Sequence, residues 1–111
     1  MKIILEMANN HMGDVDHGLK LISELARVTA DFEFDFVVKY QFRDLETLIH
    51  DEHKGSDLKY IRRFEETVLT EHEWQTLIDL TRQLGFGVMV TPFDEASVDK
   101  LNALDVDELK I

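Results

Sequence analysis

Residues 70–94, TEHEWQTLIDLTRQLGFGVMVTPFD, decide how this chain folds. Thr70 and Glu73 precede an apolar run with the spacing of a capping box, in which each side chain accepts the other residue's backbone N–H. Trp74, Leu77, Ile78, Thr81 and Leu84 then share one helical face, and Gly85 ends the helix. FGVMVT (86–91) follows as a strand, and Pro92 begins the turn after it. An amphipathic helix running straight into a buried strand is the repeating half of a parallel α/β fold.

The same alternation extends in both directions. Downstream, Asp94 caps a helix whose Val98, Leu101 and Leu104 face inward, and residues 106–111 (VDELKI) read as a fourth strand. Upstream, residues 2–8 (KIILEMA) form the first strand and NNHMGD the turn after it. Asp14 caps a helix starting near Val15, with Val15, Leu19, Ile22 and Ala26 on one stripe, and residues 34–41 (FDFVVKYQ) form the second strand. Residues 42–69 are polar with scattered apolar positions such as Leu45, Leu48, Ile49, Tyr60, Ile61 and Phe64, and read as a long loop holding a short helix or two. The order β-α-β-loop-α-β-α-β implies parallel pairing with right-handed crossovers. It suits an open doubly wound sheet or part of a (β/α)8 barrel. A full TIM barrel needs about 250 residues, so 1–111 is expected to be a single partial domain supplying about half of one. No GxGxxG or GxxxxGK[ST] stretch occurs, which argues against ordinary nucleotide-binding versions of the fold.

Composition narrows the function classes. The 111 residues carry 12 Lys+Arg against 23 Asp+Glu, a formal net charge of −11, with 44% hydrophobic residues, one Pro and no Cys. The apolar share supports a packed core. The acidic balance disfavours nucleic acid and anionic membranes as partners. Without Cys there is neither a disulfide scaffold nor a thiolate zinc site. The start, Met1-Lys2-Ile3-Ile4-Leu5-Glu6, meets an acid too early for a signal peptide, and no apolar run approaches the roughly 20 residues of a membrane span. A cytoplasmic location is expected.

Successive strand residues face opposite sides. Ile4, Glu6 and Ala8 share a face, as do Asp35, Val37, Lys39 and Gln41, then Gly87, Met89 and Thr91, then Glu108 and Lys110. Each strand has one apolar face for helices and a second bearing polar groups near its carboxyl end, so Glu6, Lys39, Gln41, Thr91 and Lys110 are expected to converge. Ligands of parallel α/β folds sit at that end. Two lysines and a threonine suit a phosphate or carboxylate, while a carboxylate and an amide suit sugar hydroxyls, a carbonyl or a proton transfer.

These segments also resemble a known family. Glu6-Met7-Ala8-Asn9-Asn10-His11-Met12-Gly13 resembles the E-I-G-x-N-H-x-G opening of the N-acetylneuraminate (sialic acid) synthase family, and Val38-Lys39-Tyr40-Gln41 its V-K-F-Q strand. Thr91-Pro92-Phe93-Asp94-Glu95-Ala96-Ser97-Val98 resembles its S-T-P-F-D-E-x-S-V segment, and Leu109-Lys110-Ile111 the K-I before its next serine. The resemblance implies the N-terminal part of a (β/α)8 barrel that condenses phosphoenolpyruvate with N-acetylmannosamine or a related aldose. By the same resemblance Lys39, Thr91 and Lys110 grip phosphoenolpyruvate, Gln41 contacts the sugar, Glu6 assists or orients proton transfer, and Asn10 and His11 shape the rim; a turn histidine hydrogen-bonding backbone is the alternative reading of His11. A divalent metal (Mn2+ or Mg2+) that polarises the aldehyde is implied, with histidine ligands outside this chain. The sequence departs from the family at Ala8, where Gly is common, at Asp31-Phe32-Glu33-Phe34-Asp35, where A-G-A-D is customary, and at the 42–69 insert.

Other signals read as structure. His50-Asp51-Glu52-His53 is a solvated acidic loop, and His17 and His72 are surface residues in first helical turns. Asp105, Asp107 and Glu108 lack the glycine-bearing loop of an EF-hand and read as a solvated run. Trp74 belongs to the core, and Met7, Met12 and Met89 are packing residues. The expected activity is thus a phosphoenolpyruvate-dependent sugar-acid synthase, the 111 residues alone being an inactive fragment whose exposed sheet edges promote homo-oligomers. Another phosphoenolpyruvate-using or aldolase-type barrel and a non-catalytic acidic interaction domain are the alternatives.

Overall fold

A computed structural model describes residues 1–43 and 58–111. Its elements are β1 (Lys2–Ala8), α1 (Val15–Thr29), β2 (Asp35–Phe42), α2 (Lys59–Glu66), α3 (Glu71–Gln83), β3 (Gly87–Pro92), α4 (Glu95–Leu104) and β4 (Glu108–Leu109). The three caps read from sequence are all formed. Asp14 accepts from the N–H groups of Asp16 and His17, Asp94 accepts from Ser97 N–H, and Thr70 and Glu73 make the reciprocal capping box. The insert carries the short helix α2, while His50–His53 and the apolar positions 45, 48 and 49 lie outside the described residues.

All neighbouring strands are parallel, in the order β1-β2-β3-β4. A doubly wound sheet reverses its strand order at a switch point. Here the order simply follows the chain, as in an arc of barrel. A further contact shows the curl. Lys2 on one edge strand and Glu108 on the other form a 2.5 Å ion pair, although three strand spacings of a flat sheet would separate them by about 14 Å. The sheet must therefore be concave on the face carrying both residues.

The convex face holds the core. Phe42, Val38 and Tyr40 of β2 and Val88 and Val90 of β3 are buried with Ile22 of α1, Leu77 and Ile78 of α3 and Leu101 of α4. Burying each such side chain contributes roughly 1.5–3 kcal/mol. Tyr40 keeps its hydroxyl paired, 2.7 Å from Thr81 Oγ1, which in turn donates to Leu77 O at 2.7 Å. Trp74 sits in this core, edge-on to Tyr40. Helix α1 approaches α3 closely because Gly18 has no side chain: a Cβ there would lie 2.8 Å from Leu77 Cδ2.

Several expectations need correction. β1 is not a regular strand to its end, since its register slips between Glu6 and Ala8 and Ala8 pairs with Tyr40, on the opposite parity from Glu6. β4 is shorter than 106–111, although Asp107 and Lys110 still donate their N–H groups to Val88 O and Val90 O. Met12 is 55% exposed and packs no core, whereas Met7 and Met89 are buried. Phe34 is exposed and stacks on Phe32 because it precedes the point where β2 enters the sheet. Asp107 is more than a solvated acid: its carboxylate accepts from Val88 N–H at 2.8 Å and faces Arg82, which also donates to Asp105 O. His17 and His72 are exposed, as expected.

Candidate functional site at the carboxyl ends of the strands

The ladder register arranges the polar residues in two rows across the concave face. Glu6 pairs with Lys39, Lys39 with Met89, and Met89 with Glu108. One step nearer the carboxyl ends, Gln41 pairs with Thr91, and Lys110 follows at the next position of the β3–β4 ladder, its N–H on Val90 O. Lys39, Gln41, Thr91 and Lys110 thus occupy one face of three adjacent strands, with rows about 6.6 Å apart along each strand.

Lys39 is the most enclosed charge of the set. Its side chain is 11% exposed, and its Nζ lies 2.5 Å from Glu6 Oε1, whose side chain is 54% exposed. The pair holds an ammonium at a fixed place in the wall of a concave sheet. Thr91 Oγ1 is buried and has no hydrogen-bond partner among the described residues. A buried hydroxyl without a partner costs free energy unless something satisfies it.

The first βα turn divides the remaining expected residues. Asn10 is exposed and donates its N–H to Met7 O, on the flank facing α1, away from Gln41. Its neighbour Asn9 turns inward instead, and Asn9 Nδ2 donates to Gln41 Oε1 at 3.2 Å. Sequence reading missed Asn9 because Asn10 was named through the family resemblance, in which Asn9 stands at a variable position of the opening motif; the register slip is what brings Asn9 to Gln41. Asn9 and Gln41 line a recess with Arg43, Thr67, Val68, Leu69 and Trp74, so the segment joining α2 to α3 supplies one wall. Arg43, two residues beyond Gln41, stacks its guanidinium over Phe93 at 5.6 Å.

His11 is placed behind the rim, not on it. It is 1% exposed, its Nδ1 accepts from Gly13 N–H at 3.0 Å, and its ring meets Trp74 edge-on at 5.5 Å. Burial, then the positive charges of Arg43 and His17, push its pKa down to about 4. His11 is therefore neutral near pH 7, with its proton on Nε2, and supports the recess through Trp74.

Among the described residues no group of three or more His, Asp or Glu side chains gathers to hold a metal ion. Nor is any described helix long and apolar enough to cross a membrane.

Comparison with known proteins agrees with the fold. The model of the NeuB family matches residues 21–111. An uncharacterized Methanocaldococcus jannaschii protein, MJ1065, is 31% identical over 109 residues, which are 98% of this chain and 29% of that one. The crystal structure of a Chromobacterium violaceum protein assigned as spore coat polysaccharide biosynthesis protein E superposes with a TM-score of 0.94 at 46% identity, covering 99% of this chain and 33% of that one. An N-acetylneuraminic acid (sialic acid) synthetase from Leptospira borgpetersenii superposes with a TM-score of 0.76 at 24% identity, over 97% of this chain and 34% of that one. The chain thus spans about a third of the length of the relatives it matches.

Proposed function

Since the chain belongs to the NeuB family, we propose that it contributes the phosphoenolpyruvate-binding wall of a synthase that condenses phosphoenolpyruvate with an aldose such as N-acetylmannosamine. The observation that carries this reading is the enclosed ammonium of Lys39 on the same concave face as the unpartnered hydroxyl of Thr91 and the adjacent Lys110. Two ammonium groups and a hydroxyl match a ligand with a phosphate at one end and a carboxylate at the other through charge-assisted hydrogen bonds.

In the proposed reaction the methylene carbon of phosphoenolpyruvate attacks the aldehyde carbon of the open-chain sugar, forming the new C–C bond. Water adds to the neighbouring carbon, which then expels inorganic phosphate to leave a 2-keto sugar acid. The aldehyde oxygen gains a proton. Glu6, in contact with Lys39 and half-exposed, is the group placed to assist or orient that transfer. Gln41 holds the sugar beside Thr91. A divalent metal, where the family uses one, supplies Lewis-acid polarisation of the aldehyde. Among the described residues no cluster of side chains forms its site. The reading keeps the cytoplasmic setting and the homo-oligomeric state expected from sequence.

Calorimetric titration with phosphoenolpyruvate tests the wall directly. Binding that disappears in the Lys39→Ala/Lys110→Ala double variant supports the proposal. Equal binding by wild type and double variant would overturn it, as would release of phosphate from phosphoenolpyruvate and aldose at undiminished rate.

A further inference from the structure

Asn9 owes its position to an irregularity in the backbone. The register slips between Glu6 and Ala8, and Ala8 adopts φ 48°, in the left-handed region that a residue with a Cβ rarely occupies. Bulges re-aim the side chains beyond them and recur beside active sites. Strained backbone persists only where surrounding structure enforces it, as at ligand sites. Here the slip sends Asn10 to the outer flank and Asn9 across to β2, where its amide meets Gln41 at 3.2 Å in a part-buried setting. The turn is then locked by Asn10 N–H on Met7 O and Met12 N–H on Asn9 O, both at 2.9 Å.

We infer that Asn9 is a positioning residue that fixes which end of the Gln41 carboxamide faces the acceptor subsite. Resting on the function proposed above, this makes the group of the acceptor held there an oxygen, hydroxyl or carbonyl, that accepts a hydrogen bond. A carboxamide carries an acceptor at one end and two N–H donors at the other. With Gln41 Oε1 engaged by Asn9 Nδ2, the end left for a ligand is the NH2 group. Asn9, just past the end of β1, thereby extends the row of Gln41, Thr91 and Lys110 to that edge of the sheet. It also holds a long, flexible side chain in one orientation before the sugar arrives, which reduces the ordering that binding requires.

Two substitutions separate this role from mere support of the turn. Asn9→Ala frees the Gln41 amide. Asn9→Asp offers only acceptors and so turns the amide round, drawing its NH2 toward residue 9. In the protein that carries this chain, with N-acetylmannosamine as the probe acceptor, Asn9→Ala should raise KM for the aldose about tenfold, the range of one lost hydrogen bond. Asn9→Asp should raise it further, while kcat and KM for phosphoenolpyruvate stay within about twofold. Asn9→Ala/Gln41→Ala should be no worse than Gln41→Ala alone. Equal loss in both KM values, or full additivity, would overturn the inference. A second readout needs no turnover: side-chain amide NMR of the substrate-free chain should show a Gln41 N–H becoming exchange-protected in Asn9→Asp but not in wild type. If wild type already shows that protection, the amide faces the other way and the inference fails. If no aldose is turned over, the functional reading fails while the NMR result still decides the orientation of Gln41.

Discussion

Glu6 and Lys39 face each other across the β1–β2 ladder, carboxylate oxygen to ammonium nitrogen at 2.5 Å, with the lysine almost enclosed and the glutamate half in solvent. An anion arriving at Lys39 must share the ammonium with a fixed negative charge. The two residues therefore pull in opposite directions on anion affinity even though both serve the proposed reaction.

Glu6→Gln should for this reason tighten phosphoenolpyruvate binding while abolishing most turnover. The gain should be modest, about threefold to tenfold, because the glutamate is half-exposed and its charge is screened. The loss of rate should be larger, on the order of 100-fold or more, as for removal of a group that moves or orients a proton. Lys39→Ala should weaken binding instead. Calorimetry beside a phosphate-release assay distinguishes the two, and Glu6→Gln weakening binding as much as Lys39→Ala would show that Glu6 acts only by holding the lysine.

Ala8→Gly should stabilise the protein by about 0.5–1 kcal/mol. Ala8 holds φ 48°, where a Cβ crowds the backbone at a cost of roughly 1–2 kcal/mol, partly offset by the greater freedom of glycine in the unfolded chain. Urea denaturation of the two proteins gives the difference as a shift in midpoint at constant slope. A loss of stability would mean that the alanine methyl makes packing contacts worth more than the strain.

Gly13 and Gly85 both hold positive φ, 74° and 88°, but their surroundings differ. A Cβ at Gly13 would sit 2.5 Å from the carbonyl oxygen of Glu66 at the end of α2, while one at Gly85 would meet nothing within 4 Å. Gly85→Ala should thus cost about 1 kcal/mol from backbone strain alone. Gly13→Ala should cost at least about 2 kcal/mol more, because backbone must move and the segment forming a wall of the Gln41 recess moves with it. Equal costs would show that α2 is not seated on the turn.

The contrast between these turns explains what sequence could and could not reveal. Caps, helix faces and strand parity follow from local rules, so Asp14, Thr70, Asp94 and the facing of Lys39, Gln41, Thr91 and Lys110 were legible. A single backbone slip at Glu6–Ala8 leaves no mark in residue type beyond an alanine where glycine is customary, yet it reverses the parity of everything after it. Asn10 was named instead of Asn9 because it matches the family's opening motif, and nothing local in the sequence points to Asn9. His11 was expected at the rim through the family resemblance, with a turn histidine bonded to backbone as the other reading, and its bond from Gly13 N–H matches the latter. Its burial depends on Trp74 and Gly18 arriving from α3 and α1, contacts between segments far apart in the chain.

His11 also predicts how stability depends on pH. In the unfolded chain its imidazole titrates near the ordinary value of about 6.5; in the fold burial and the nearby cations lower this to about 4. Between these values the unfolded state binds the extra proton, so acid favours unfolding. The contribution is fully present above about pH 6.5 and is lost progressively as pH falls toward 4. From pH 7 to 4.5 it amounts to about 2 kcal/mol at 1.36 kcal/mol per unit of pKa difference. His11→Asn keeps an oxygen to accept from Gly13 N–H but cannot titrate, and it should be less stable than wild type at pH 7 yet lose about 2 kcal/mol less on acidification. Carboxylates titrate in both proteins and cancel in the comparison. Denaturant unfolding of both at pH 7 and 4.5 measures the difference, and parallel losses would mean that the folded protein admits a charged His11 at that site.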